Sequence, residues 1–162
     1  MKKYLGVKLV KAEFENKIGY SANKATSDVC GDEIVLEGYK VVYEDGYTSW
    51  SPKDVFEKAY RPIDNLTFGL AIEALKQGKC IARKGWNGKG MFIFKQVPSA
   101  IDNSIVAKMQ SVPDSAKTIL TTRNQEPICY QNQMVIVKSD GTIDSWVASS
   151  SDTFAEDWFI VE

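Results

Sequence analysis

Two Asp-Gly dipeptides constrain the fold of this chain more than any other feature. Asp45-Gly46 and Asp140-Gly141 each stand between two runs of strand-forming residues. Asp45-Gly46 suits a hairpin turn of type I′, because that turn needs positive φ at both central positions, and Asp140-Gly141 predicts a second hairpin. Helical patterns follow both hairpins. The sequence therefore predicts the α+β class, with small antiparallel sheets and short helices.

The chain divides into two modules near residue 64. The run Arg61-Pro62-Ile63-Asp64 ends a helical pattern, because the residue before a proline disfavours the α region. Thr67 then opens a new helix. We therefore predict a small β-rich module over residues 1–63 and an α+β module over residues 64–162. About 63 residues make a marginal core, so the first module is either a separate small barrel or is packed on the rest.

In the first module, apolar alternation at the start of residues 4–14 predicts a strand, and the polar residues 15–33 predict a long loop. A helix is predicted over residues 53–60, with Ser51 as its N-cap and Pro52 at its first position. Aromatic residues recur at a spacing typical of a small sheet, where they form either its core and rim or a stacking platform for bases. They are Tyr39, Tyr43, Tyr47 and Trp50.

In the second module, a helix is predicted between the N-cap Thr67 and the stop at Gly78. Residues 98–126 have helical spacing, and one further helical turn is predicted over residues 153–157. Strands are predicted over 79–83, 91–94, 133–138, 142–147 and 158–161.

A glycine-rich turn over residues 84–90 is the most informative local feature. Its three glycines allow backbone amides to face outward and a ligand to approach closely. Trp86 stands at its tip, so this ring must dock on another part of the chain, on a second subunit or on a ligand. A stacked nucleobase with phosphates beside Arg83, Lys84 and Lys89 would fit. A purely structural hairpin tip is the alternative.

A second polar cluster lies near the C-terminus. The serines of 149–151 and Asp152 are predicted to form a loop that accepts hydrogen bonds from ribose hydroxyls or base amines. Alternatively, Asp152 and Thr153 cap the following helical turn. Glu156 and Asp157 are adjacent acids, but neighbouring side chains of a strand point apart, which disfavours paired acid–base catalysis.

Composition narrows the function classes further. The chain has no histidine, which excludes Ser-His-Asp and Cys-His catalysis and an imidazole zinc site. Three scattered cysteines fit neither a disulfide framework nor a metal site, and no cofactor is expected. The net charge of −1 disfavours duplex binding. Six bases in 76–95 and six acids in 139–162 either face each other or leave a local anion site.

No segment is apolar and long enough for a membrane span, and the first residues lack the apolar stretch of a signal peptide. We therefore expect a cytoplasmic protein with no membrane partner.

Long motifs of the second module resemble the second type of phage Thoeris anti-defence protein. They lie at 68–79, 82–92, 140–142, 146–149 and 155–158. The first module is similar to a small phage protein family of obscure role, through residues 4–8, 38–39, 45–56 and 59–61. Compact members of the anti-defence family lack such a first module.

The resemblance implies a molecular sponge that binds a cyclic ADP-ribose isomer, the alarm signal of Thoeris defence, without cleaving it. Some relatives also hold cyclic dinucleotides. The family implies homotetramers with ligand sites between subunits, acting in the host bacterial cytoplasm. Trp86 falls on the family's stacking tryptophan. The other implied ligand-binding residues are Arg83, Asn87, Asp140, Ser149 and Asp152.

Two rival functions remain open from the sequence. One is a phage structural or protein-interaction module, in which residues 1–63 bind a host protein. The other is a cyclic-nucleotide hydrolase that uses Asp152 or Asp157 with a metal ion.

Overall fold

The computed structural model describes residues 7–20, 33–123 and 127–162. The chain forms two compact units, Met1–Pro62 and Ile63–Glu162. Both combine antiparallel strands with short helices, which confirms the predicted α+β class.

Within residues 7–20 and 33–62, the first unit contains five strands and one helix. They are β1 (Lys11–Phe14), β2 (Lys17–Tyr20), β3 (Glu33–Leu36), β4 (Gly38–Val42), β5 (Thr48–Pro52) and α1 (Lys53–Ala59). Strands β1, β4 and β5 form one antiparallel sheet in the order β1-β4-β5, and β2 pairs with β3 in another. The strand predicted in residues 4–14 is confirmed at β1 and wrong for residues 7–10, and β2 lies where a loop was predicted. Residues 1–6 and 21–32 lie outside the described residues.

Stacked aromatic rings and the buried Val41 form the core of the described part of this unit. The ring of Tyr39 stacks on Phe56 at 4.4 Å between centroids, and Phe56 stacks on Tyr60 at 4.8 Å. The predicted Ser51 cap is wrong, because Ser51 pairs with Tyr39 inside the sheet. Pro52 stands at the N-cap instead, without a side-chain hydrogen bond.

The second unit is built around a five-stranded antiparallel sheet. Its elements are α2 (Phe68–Lys76), β6 (Cys80–Arg83), β7 (Phe92–Gln96), β8 (Ser99–Ile101), α3 (Asn103–Val106), α4 (Asp114–Arg123), β9 (Ile128–Tyr130), β10 (Gln133–Val137), β11 (Ile143–Ser145), α5 (Ser150–Thr153) and β12 (Trp158–Val161). The main sheet has the order β11-β10-β7-β6-β12, and β8 pairs with β9 apart from it. The helical prediction for 98–126 is wrong at β8. The spacing of apolar residues that is typical of one helix arises here from a strand, a short helix and a turn in succession.

Helix α2 and the sheet enclose the core of this unit. Thr67 caps the helix by accepting a hydrogen bond from the amide of Leu70, and Gly78 ends it with φ of +80°, as predicted. Ala71 and Leu75 of the helix pack with Ile81, Ile93 and Trp158 of the sheet, all nearly inaccessible to solvent.

The chain before α2 extends the sheet beyond β12. Leu66 and Trp158 exchange backbone hydrogen bonds, and the amide of Ile160 donates to the carbonyl of Ile63 at 3.0 Å. This edge of the sheet is therefore covered by the unit's own first residues.

Both predicted hairpins occur, but the first is not the type I′ turn expected at Asp45-Gly46. Gly46 has φ of +83°, and its amide donates to the carbonyl of Tyr43 at 3.0 Å. Gly141 has φ of +82° and donates to Lys138 in the same way. No described residue other than glycine has positive φ. Each reversal therefore has three residues with glycine last, which needs only one left-handed position.

Candidate functional site

One end of the main sheet gathers segments that are far apart in the sequence. Arg83 at the end of β6 lies opposite Trp158 at the start of β12, and Phe92 lies opposite Val137. In an antiparallel sheet, these pairings bring the glycine-rich turn, the second hairpin and the approach to β12 to the same end.

A short helix, rather than the predicted loop, precedes β12. Helix α5 begins after Ser149, whose hydroxyl accepts from the amide of Asp152 at 3.2 Å. The Asp152 carboxylate in turn accepts from the amide of Ser149 at 3.1 Å. This reciprocal capping box satisfies two amides of the helix N-terminus. Asp152 therefore caps its own helix. The helical turn predicted over 153–157 is wrong for residues 154–157, because the helix already ends at Thr153.

The carboxylate of Asp152 is buried, with a relative exposure of 9%. Its Oδ1 accepts from Nη1 of Arg83 at 2.7 Å and from Nε1 of Trp86 at 3.2 Å, and its Oδ2 accepts from the hydroxyl of Ser149 at 2.6 Å. Burial by itself raises the pKa of Asp152. The hydrogen bonds from Ser149, Arg83 and Trp86 outweigh burial and lower the pKa to about 2. This carboxylate is therefore an anion.

Arg83 also holds a second carboxylate. Its Nε donates to Oδ1 of Asp157 at 2.8 Å, and Oδ2 of Asp157 accepts from the amide of Gly85 at 2.7 Å. Hydrogen bonding to Asp157 raises the pKa of Arg83, and the same bond lowers the pKa of Asp157. One cation thus lies between two anions, and the three side chains together carry a charge of −1.

The side chain of Trp86 packs against other residues of its own chain. Its half-buried ring packs edge-to-face on Trp158 at 5.5 Å and on Trp146 at 6.2 Å between centroids, and Phe68 packs on Trp158 at 5.3 Å. Such contacts add roughly 0.5–1.5 kcal/mol per pair beyond burial. The first of the three possibilities for this ring therefore holds, and part of its surface remains accessible.

Two of the six predicted site residues lie outside this cluster. Asn87 is exposed in the glycine-rich turn. Asp140 stays within its own hairpin, where Oδ1 accepts from the amide and hydroxyl of Thr142 at 2.9 and 2.6 Å. Among the described residues, the hydrogen-bonded cluster brings together the other four. They are Arg83, Trp86, Ser149 and Asp152.

Trp146, Asp157 and Trp158 lie in the polar cluster and the family motifs recognised from the sequence, but their contacts with Arg83 and Trp86 were not predicted. Asp157 pairs with Arg83 because β12 lies beside β6. The signal was present in the charge distribution. The basic run 76–95 and the acidic run 139–162 do meet at Arg83, as the opposite-charge alternative predicts.

The described residues offer neither a metal site nor a membrane-spanning helix. Across residues 7–20, 33–123 and 127–162, no group of three or more cysteine and carboxylate side chains could hold a metal ion. Within the same ranges, no helix has both the length and the apolar character that a bilayer crossing requires.

The fold and the cluster define a small α+β domain with a tryptophan-bearing, glycine-rich turn fixed by an arginine and two carboxylates. The Tad2-like family, described as the Thoeris anti-defense 2-like domain, matches residues 66–161. The chain is also 35% identical over 96 residues to Thoeris anti-defense 2 of Bacillus phage SP01, across 59% of this chain and 94% of that protein. The chain belongs to the Thoeris anti-defense 2-like family, which confirms the resemblance.

Proposed function

We propose that this protein is a phage anti-defence sponge in the host bacterial cytoplasm. It binds a cyclic ADP-ribose isomer made by Thoeris defence, with cyclic dinucleotides as a second ligand class, and sequesters the signal without cleaving it. The family's name supports an anti-Thoeris role. The observation that carries the binding proposal is the fixed, partly accessible ring of Trp86 in the glycine-rich turn.

The ring of Trp86 suits stacking because it is held before any ligand arrives. Two tryptophan rings and the carboxylate of Asp152 restrain it. A side chain that is already ordered loses little entropy on binding. Stacking of one base on its open surface would contribute roughly 1–3 kcal/mol.

Phosphates would be bound by groups other than Arg83. The guanidinium of Arg83 is engaged by two carboxylates, whereas Lys89 is exposed and Lys84 is 3.6 Å from Asp64 in an exposed pair. We propose that these lysines meet the phosphates. Arg83, Ser149 and Asp152 then contribute by shaping the turn.

We propose that Asn87 and Asp140 make direct polar contacts with the nucleotide, as the resemblance implies. Asn87 is exposed in the glycine-rich turn, and the hairpin of Asp140 stands at the same end of the sheet. Their amide and carboxylate groups suit ribose hydroxyls and base amines.

Binding without cleavage agrees with the lowered pKa of both carboxyl groups in the cluster. A general acid or base works best with a pKa near the operating pH. The pKa of Asp152 is about 2, and Arg83 lowers that of Asp157. Both carboxylates are also engaged by hydrogen-bond donors, which disfavours a hydrolase that uses them.

We further propose a homo-oligomer, with the tetramer favoured. Val147 and Phe154 flank helix α5 and are 83% and 85% exposed. Large apolar side chains exposed in this way mark interaction surfaces. Light scattering at micromolar concentration should give a multiple of 18.1 kDa, and a monomer mass would contradict the proposal.

The first module, predicted over 1–63, is proposed to be separable with its boundary at Pro62, and to make none of the main nucleotide contacts. The division into two compact units and the family match over 66–161 support this. A truncated chain for the test should begin before Ile63, because the carbonyl of Ile63 accepts from Ile160. We expect it to stay folded and to bind within about tenfold of the full chain. A folded truncation without binding would contradict the proposal.

Retention of the signal tests the sponge proposal directly. The full chain is incubated with the cyclic ADP-ribose isomer, freed of unbound nucleotide and heated, and the released material is chromatographed. Intact nucleotide is expected. A cleaved product would indicate a hydrolase, and no retained nucleotide would favour the interaction module.

Two substitutions of Trp86 separate stacking from hydrogen bonding. Trp86→Ala and Trp86→Phe both remove the indole N–H that donates to Asp152. Trp86→Phe keeps an aromatic ring that can stack, whereas Trp86→Ala keeps none. By calorimetry, Trp86→Ala should weaken binding by about tenfold or more, and Trp86→Phe by much less. Equal affinity of wild type and Trp86→Ala would remove this ring from the site.

A further inference from the structure

We propose that Asp157 is a positioning residue, which holds the glycine-rich turn so that Trp86 keeps one orientation. The inference rests on the proposed role of Trp86 as the stacking ring. Asp157 reaches Trp86 through Gly85 and Arg83, and it is therefore assigned no contact with the ligand.

Asp157 fixes the start of the turn by two routes. Its backbone carbonyl accepts from the amide of Lys84 at 3.1 Å, and its Oδ2 accepts from the amide of Gly85 at 2.7 Å. The amides of two successive residues thus donate to Asp157, the residue directly before β12. The next residue in the chain is Trp86, so its backbone leaves from a fixed point.

The third contact links Asp157 to the indole. Asp157 Oδ1 binds Nε of Arg83 at 2.8 Å, and Nη1 of the same guanidinium binds Oδ1 of Asp152 at 2.7 Å. That same oxygen accepts the indole N–H of Trp86. Because the guanidinium is planar and rigid, movement at Asp157 shifts the acceptor of the indole.

Gly85 is shaped for this arrangement. A Cβ atom at residue 85 would lie 2.7 Å from Oδ2 of Asp157 and 3.4 Å from Nη2 of Arg83. The glycine is therefore required by the close approach of the carboxylate, and it is not among the glycines with positive φ. A side chain at this position and the Asp157 contact exclude each other.

Asp157→Asn is the first test variant, because it removes the charge and keeps the shape. Asp64→Asn is the matched control: it removes the same charge from an exposed partner of Lys84 in the same turn. NMR hydrogen exchange is followed at the amide of Gly85 and the indole of Trp86 in the full chain. Both should exchange about tenfold faster in Asp157→Asn, as expected for loss of a charge-assisted hydrogen bond, and at the wild-type rate in the control. Unchanged exchange in Asp157→Asn would overturn the proposal.

A double-mutant cycle then separates positioning from direct contact. With the cyclic ADP-ribose isomer as probe, Asp157→Asn should weaken binding by about tenfold when Trp86 is present and have little effect in the Trp86→Ala chain. Fully additive losses would mean that Asp157 acts independently of Trp86, and would overturn the inference. Asp157→Glu, which restores the charge, should recover part of the affinity.

Two further outcomes keep this inference distinct from the sponge proposal. If the wild type binds no nucleotide, the sponge proposal fails, while the exchange rates still decide whether Asp157 positions the turn. If Asp157→Asn does not fold, Gly85→Ala replaces it, since this variant keeps every charge. It should accelerate exchange at the Trp86 indole to a similar extent, and an unchanged rate there would overturn the inference.

Discussion

Two turns at the same end of one sheet are stabilised in opposite ways. The hairpin at Asp140-Gly141 is self-contained, because its aspartate accepts from Thr142 two residues later and its glycine supplies the one left-handed position. The glycine-rich turn is held by Asp152 and Asp157, which are more than 60 residues away in sequence. A turn that is built locally closes a hairpin, whereas one that is built from distant groups can hold a side chain for binding.

The largest expected difference between the turns concerns their aspartates. Asp152→Ala removes one of the two carboxylate partners of Arg83 and the acceptor of the Trp86 indole, and should lower the free energy of unfolding by about 3 kcal/mol. Asp140→Ala removes an exposed, local acceptor and should have a much smaller effect. Urea denaturation of both variants measures this, and equal losses would refute the contrast.

Acid should weaken the glycine-rich turn first. Asp152 has a folded-state pKa of about 2, below the value of about 3.9 for an unfolded chain. Its stabilisation is complete above the unfolded pKa and is lost as the pH falls through the folded pKa. Between about pH 4 and pH 2 the loss should be about 2 kcal/mol. Unfolding curves of wild type and Asp152→Asn over this range should converge; parallel curves would contradict this.

Gly141 tests the local turn. Gly141→Ala forces a side chain into φ of +82° and should lower the free energy of unfolding by about 1–2 kcal/mol. The strain is confined to this hairpin, so hydrogen exchange at the indole of Trp86 should keep its wild-type rate. Faster exchange there without unfolding would show that the two turns are coupled.

The smallest effect is expected inside the glycine-rich turn itself. A Cβ atom at Gly88 would meet the side chain of Met91, with its sulfur at 2.7 Å. Because a methionine can rotate away, Gly88→Ala should change the free energy of unfolding by about 0.5 kcal/mol. A denaturation midpoint as low as that of Gly85→Ala would mean that Gly88 is as tightly constrained as Gly85.

Sequence analysis succeeded where the cause was local. The cap at Thr67, the stop at Gly78 and both hairpins follow from side chains within a few residues. The same reasoning singled out Arg83 and Trp86, which the structure joins through Asp152; their role in binding stays a prediction. It chose the wrong turn type at Asp45-Gly46, because dipeptide preference does not fix the loop length.

The rest depended on pairing between distant strands. Asp157 became part of the cluster only because β12 lies beside β6, which no local pattern specifies. Helix α5 was taken for a loop because serine and aspartate favour both loops and helix N-termini. Its capping box, Ser149 and Asp152, was nevertheless visible as a spacing of three.

The covered edge of the main sheet has a consequence for unwanted association. Because Ile63 and Leu66 already bond to β12, a strand from another molecule finds no free ladder there. Within the described residues, the opposite edge is β11, which is only three residues long and fully exposed. A short edge strand is a poor template for aggregation. The sheet therefore offers another molecule little free backbone with which to pair.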